Sequence, residues 1–320
     1  MNTVSRLIAL SLAFAAAPTS AQESWPAKPI RIIVPSTPGG GTDVYARLLA
    51  FGLPDLIKQQ FVVENRPGGN GMIGAEQVAR SAPDGYTILV TASPALVLNP
   101  VLYQKMPYDA DRDFAPVSAG VVSPLIFVVH PSVRARNLAD LVALARKEPG
   151  KYSYGSAQLT STTSLGVQIL EHMADVKFNQ IPYKGIGQAF QNLIGGEISF
   201  MLSDFPVVLP HVKSGRVIAL AATHRTKVLP AVPTSEEAGF HIGDVTASFM
   251  VAAPAGTPRP IVQRLNADIN RLMKTPAIAE KLESHVFIPV FGSPDDFGER
   301  LKKLRVMWAE VIQKIGVKVE

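Results

Sequence analysis

The chain has no cysteine among its 320 residues, which excludes a disulfide scaffold, a thiol nucleophile, a cysteine-ligated metal and a lipidated cysteine anchor. Charge is sparse: 18% of residues are charged, 31 basic against 26 acidic, for a formal net charge of +5. The basic residues are scattered, a pattern unlike that of nucleic-acid-binding proteins and better suited to a small anionic ligand. Catalytic signatures are missing as well. There is no Gly-x-Ser-x-Gly elbow, and the six histidines (His130, His172, His211, His224, His241, His285) show neither an i,i+4 pair nor a zinc-like spacing. Asp295 and Asp296 follow "GSP" and read as a helix N-terminus rather than an acid/base pair. No cofactor is implied.

No apolar run reaches bilayer-spanning length. The one at the start, Leu7 to Ala17, follows Arg6 and leads to Thr19 and Ala21 at the −3 and −1 positions of a cleavage site. Residues 1–21 therefore read as a secretory signal peptide. Its removal takes 21 of the 320 residues and leaves 299, enough for a large core and about two domains.

Short Val- and Ile-rich runs such as "RIIV", "YTILV" and "LIFVVH" alternate with helical patterns such as "DVYARLLA" and "LADLVALARKE". This alternation predicts an α/β protein with mostly parallel sheets. Between the first strand and the first helix lies "VPSTPGGGTD", Val34 to Asp43. Two prolines and three glycines hold the backbone open where a helix begins, with Thr42 or Asp43 available as its cap. The unpaired amides and helix dipole of such a turn attract an anion; the alternative is a plain βα turn with glycines at positive φ. No Gly-Lys-Ser/Thr follows and no G-x-G-x-x-G is present, so nucleotide loops are excluded. The logic restarts with the strand "YSYGS", the loop "SAQLTST" (Ser156 to Thr162) and a helix beginning near Thr162. Two anion-friendly loops are what a ligand cleft between similar domains requires.

The segments "WPAKPIRIIVP", "GGGTDVYARLLA", "VVENRPGGNGMIGAEQVARSAPDGYTILV", "NPVLYQKMPYDADRDFAPV", "IPYKGIGQAFQNLIGGEI", "LPAVPTSEEAGF" and "VAAPAGTPRPIV", in this order, resemble the Bug family, the periplasmic solute-binding proteins of tripartite tricarboxylate transporters. The resemblance implies the type II periplasmic binding fold: two α/β lobes joined by two hinge crossings and closing on a small carboxylate. It implies a periplasmic, monomeric, non-enzymatic receptor that partners membrane permease subunits, and a carboxylate held by amides, hydroxyls and water rather than by an arginine clamp. The lobes are expected at residues 22–121 with 227–320, and at 122–226.

The expected binding residues in the first loop are Ser36, Thr37, Gly39, Gly40, Gly41, Thr42 and Asp43, and in the opposing loop Ser156, Thr160, Ser161 and Thr162. Relatives usually carry glycines at the places of Gln158 and Thr160, so this loop is expected to be stiffer and bulkier. Ser93 ends the strand "YTILV", where α/β ligands bind. Tyr183 either lines the cleft or packs under the hinge, and Asp204 either accepts from a ligand or caps the next helix. "ENRPGGNG" reads as a turn beside the cleft or a direct contact. Gly52 and Pro54 predict a helix break near residue 53. Two other functions remain open: a ligand sensor feeding a signalling partner, and an exported hydrolase using Ser156 or Ser161 with a histidine such as His211.

Overall fold

The computed structural model describes residues 25–317; the expected signal peptide lies outside them. The first lobe opens with β1 (Ile30–Val34), α1 (Gly41–Ile57), β2 (Phe61–Asn65), α2 (Met72–Ala79), β3 (Thr87–Ala92) and the short α3 (Asn99–Leu102). β4 (Phe114–Val129) then crosses to the second lobe, built from α4 (Leu138–Lys147), β5 (Ser153–Ala157), α5 (Thr162–Ala174), β6 (Asn179–Tyr183), α6 (Ile186–Ile194), β7 (Phe200–Asp204), α7 (Phe205–Lys213) and β8 (Ile218–Ala222). β9 (Thr246–Pro254) returns to the first lobe, which is completed by α8 (Arg259–Leu272), α9 (Pro276–Ser284), β10 (Ile288–Pro289) and α10 (Pro294–Ile315). None of the described helices is long and apolar enough to cross a membrane.

Both lobes are wired alike. In the first, β2, β1 and β3 pair in parallel, and β9 enters antiparallel between β3 and β4. In the second, β6, β5 and β7 pair in parallel, and β4 enters antiparallel between β7 and β8. Parallel pairing thus holds within each βαβ set, as expected. The antiparallel pairs all involve a crossing strand, whose direction is set by where the chain arrives from. β4 serves both sheets: it pairs with β9 through Pro124 and with β7 from Leu125 onward.

The strands that carry the site are held by burial on both faces. Ile30, Ile32, Ile33 and Val34 of β1 are all inaccessible, the pattern of a central parallel strand. Along β4, Leu125, Phe127 and Val129 join one apolar cluster and Ile126 and Val128 another, the period-two alternation of a strand with a core on each side.

The expected break near residue 53 does not occur, because α1 runs through Pro54 to Ile57. Burial of Leu49, Leu53 and Ile57 outweighs the roughly 3 kcal/mol that an interior proline costs a helix. Gly52 faces Leu272 of α8 so closely that a Cβ would collide with it, so it is there for helix packing.

Candidate functional site

Because the lobes share one wiring, the β1–α1 loop of the first and the β5–α5 loop of the second occupy equivalent places and face each other across a cleft. The cavity between them is lined by Ser36, Thr37, Gly40, Gly41 and Thr42 from the first loop, and by Gln158, Ser161, Thr162 and Thr163 from the second. About 70 Å³ is open to the centres of water molecules, against roughly 10–15 Å³ for one water. A small organic molecule fits such a space.

Each glycine of the first loop has its own reason. Gly39 sits at φ 83°, the left-handed turn that brings the chain into the helix. A Cβ on Gly40 would stand 3.1 Å from Ile186 Cγ2 in the other lobe, and one on Gly41 would stand 2.6 Å from Phe249 Cζ and collide with the Asp204 carboxylate. The run is therefore set by close approach between lobes as much as by the turn.

α1 begins at Gly41 with Gly40 as its N-cap, and no side chain of its own turn caps it. Neither Thr42 nor Asp43 takes the expected capping role, because the helix starts at Gly41 and both already lie inside its first turn; the first helical amide is instead satisfied from across the cleft, Gly41 N–H donating to Asp204 Oδ2 at 2.8 Å. Asp204, at the end of β7, thus caps a helix of the opposite lobe rather than the helix that follows it. α5 begins at Thr162, as expected, and is capped by Ser161, whose Oγ accepts from Ser164 N–H at 3.2 Å. The N–H groups of Thr42, Thr162 and Thr163 have no protein acceptor among the described residues. Two helix N-termini therefore converge on one cavity.

The hydroxyls of Ser36 and Thr37 are buried without a hydrogen-bond partner, and both residues line the cavity. Leaving such groups unsatisfied costs about 1–3 kcal/mol each. No lysine, arginine or histidine lines the cavity. Asp204 is the one acid among its lining residues; burial raises its pKa above the ordinary 3.8, against the pull of the Gly41 amide.

The other expected site residues stand apart from the wall. Gly39 donates its N–H to Asp43 Oδ2 at 3.0 Å, and Asp43 also accepts from Arg47 at 2.9 Å and Asn65 at 3.0 Å. Burial opposes the Asp43 charge, but these donors outweigh it and hold the carboxyl below its usual range. Asp43 is a brace for the loop. Ser93 is buried next to the wall residues Ala92 and Pro94 without lining the cavity. Ser156 Oγ donates to Gln158 O at 2.8 Å and accepts from Gln180 at 2.9 Å, shaping the loop from behind. Thr160 is buried off the wall, and Asn70 of the β2–α2 turn donates to its hydroxyl. Tyr183 packs with the second apolar cluster, and its hydroxyl accepts from Asn192 at 2.7 Å. Neither Ser156 nor Ser161 contacts a histidine, and His211 packs instead on Phe190.

Sequence reasoning missed the cavity floor, Ala247 and Phe249 of β9, and the wall residues Thr91, Pro94 and Ile186. Which residues of β9 face a cleft depends on how its sheet sits against the opposite lobe, and no local spacing announces it.

The profile of the Tripartite tricarboxylate transporter family receptor matches residues 45–317. Protein BugT of Bordetella pertussis is 36% identical over 316 residues, covering 98% of this chain and 97% of that protein. Among solved structures, R. palustris Rpa4515 with adipate superposes with a TM-score of 0.89 at 32% identity, over 92% of this chain and 99% of the other. MatC from Rhodopseudomonas palustris with bound malate gives 0.85 at 26% identity, over 90% and 99%. With the fold of periplasmic binding proteins and the family profile spanning most of its length, this chain belongs to the tripartite tricarboxylate transporter receptor family of Bug-type solute-binding proteins.

Proposed function

We propose that the protein captures a small organic carboxylate between its lobes in the periplasm and delivers it to the membrane permease subunits of a tripartite tricarboxylate-type transporter, acting as a monomer and without catalysing a reaction. The observation that carries this reading is the pair of buried, unpartnered hydroxyls, Ser36 and Thr37, on a cavity where two helix N-termini meet and no cationic side chain stands. Hydroxyls and amides alone satisfy a carboxylate through donated hydrogen bonds, and a desolvated site makes each donor count. The bound acids of the relatives, adipate and malate, are carboxylates, which supports the same ligand class here.

In this reading the lobes divide where β4 changes partners, between Pro124 and Leu125, and again between β8 and β9. Closure over the anion would give the permease a shape to recognise. A panel of organic acids screened by thermal shift, followed by calorimetry, tests the proposal: at least one carboxylate should raise the melting temperature and bind one to one. Silence across a broad panel, or turnover of the acid into product, would overturn it.

A further inference from the structure

Gln158 is a half-buried residue of the cavity wall with a backbone φ of 79°. Residues carrying a side chain rarely adopt this left-handed conformation, which glycine takes freely. The loop enforces it through the main chain alone. Gln158 N–H donates to Tyr183 O at 2.9 Å, extending the β5–β6 ladder by one residue, and Gln158 O accepts from Ser156 Oγ at 2.8 Å. Nothing in that arrangement uses the side chain, and its carboxamide makes no hydrogen bond among the described residues. A strained backbone that carries a long polar side chain into a ligand cavity marks a functional position.

The cavity's shape says what the side chain does. The lobes approach each other directly at one part of the wall: Gly185 is so near Thr37 that a Cβ would collide with its hydroxyl and stand 3.0 Å from its backbone nitrogen. Ile186 lies against Gly40 on the same side. Gln158 reaches across to the first lobe, its Nε2 3.9 Å from the Cβ position at Gly71, beside Pro35. Gln158 is therefore a wall residue whose long polar side chain spans from one lobe to the other and has no protein partner of its own among the described residues.

We propose that Gln158 is the specificity-determining residue of the cleft: its length limits the ligand to short acids, and its carboxamide pairs with the ligand's distal carboxylate, hydroxyl or carbonyl oxygen. This rests on the carboxylate-binding reading above and adds to it the ligand's length and second polar group. The carboxamide is neutral and donates through its NH₂ to a distal oxygen without requiring a particular charge there.

Calorimetric titration of the mature protein with linear dicarboxylates from malonate to suberate tests it, alongside Gln158→Gly, Gln158→Asn and Gln158→Glu. The wild type should bind a short member best and lose roughly tenfold or more with each methylene beyond it. Gln158→Gly should move the optimum to a longer acid. Gln158→Asn, which tolerates left-handed backbone and is one methylene shorter, should move it by a smaller step, and it decides the matter alone should the glycine variant fail to fold. Gln158→Glu keeps the length but opposes a distal carboxylate, and should weaken the best dicarboxylate at least tenfold. An unchanged chain-length profile in the folded variants overturns the role of Gln158 while leaving carboxylate binding intact. Failure of the wild type to bind any acid in the series, or in the broader panel, overturns both.

Discussion

The side-chain amide of Asn70 donates to the hydroxyl of Thr160, 90 residues further along the chain and on the opposite lobe. The same amide donates to Asn99 Oδ1 at 2.6 Å, so the first-lobe side of this bridge is held in place from within its own lobe. Together with the Asp204 cap on Gly41, 163 residues apart, it ties the two lobes together across the cleft.

Removing the Thr160 hydroxyl should loosen the closed form without disturbing either lobe. Thr160→Ala is expected to weaken ligand binding by about 1 kcal/mol, roughly fivefold, the usual net worth of one hydrogen bond. The loss should appear in the dissociation rate rather than the association rate. Stopped-flow kinetics with a binding acid would check this; an unchanged dissociation rate would show that the bridge does not hold the lobes.

Gly185 has an extended backbone, φ 179°, open to any residue, so the need for glycine there comes only from the approach of Thr37. Gly185→Ala is therefore expected to leave the ligand-free melting temperature nearly unchanged and to prop the cleft open, with at least a tenfold loss of affinity. Small-angle scattering should show that ligand no longer compacts the variant. Compaction and affinity equal to wild type would refute the closure role.

Asp204 supplies a pH test. Its folded pKa is raised by burial, so its contribution to stability is fully present below the unfolded value and is lost as pH rises through the folded one. Relative to Asp204→Asn, which keeps an oxygen for the Gly41 amide, the wild type should lose stability progressively above about pH 4. An anion in the same cavity raises this pKa further, since like charges disfavour each other. Binding should therefore take up a proton and weaken as pH rises. Denaturation of both proteins across pH, and calorimetry in buffers of different ionisation enthalpy, would check the two signs; a pH-independent difference would show that Asp204 is not a strained carboxylate.

The strand–glycine loop–helix grammar from Val34 to Asp43 and the start of α5 at Thr162 were legible because each is local: a βα turn, a cap and an apolar period lie within ten or so residues. The placement of Ser36, Thr37, Ser161 and Thr162 on the cavity followed from the same grammar. What was not legible involves two distant segments at once. No spacing announces that Asp204 will cap α1, that Asn70 will meet Thr160, or that Phe249 will floor the cavity. Tyr183 illustrates the limit: a tyrosine after a strand has one backbone place and two side-chain directions, and Asn192 on α6 took it away from the cleft. At Pro54 local chemistry argued for a break, and tertiary burial of the α1 face overrode it.

The central claim is that hydroxyls and main-chain amides, not a cation, hold the anion. Thr37→Val keeps the shape of a buried side chain and deletes a hydroxyl that has no protein partner, so it should raise the ligand-free melting temperature while weakening a bound carboxylate by about 1.5–3 kcal/mol, the range for a hydrogen bond to a charged group. Lys184, in the loop next to Gly185, is exposed and does not line the cavity, so Lys184→Ala should bind like the wild type. The decisive measurement is calorimetry of one binding acid against these two variants and the wild type. The account predicts at least a tenfold loss for Thr37→Val and none for Lys184→Ala; full affinity in Thr37→Val with loss of binding in Lys184→Ala would contradict it.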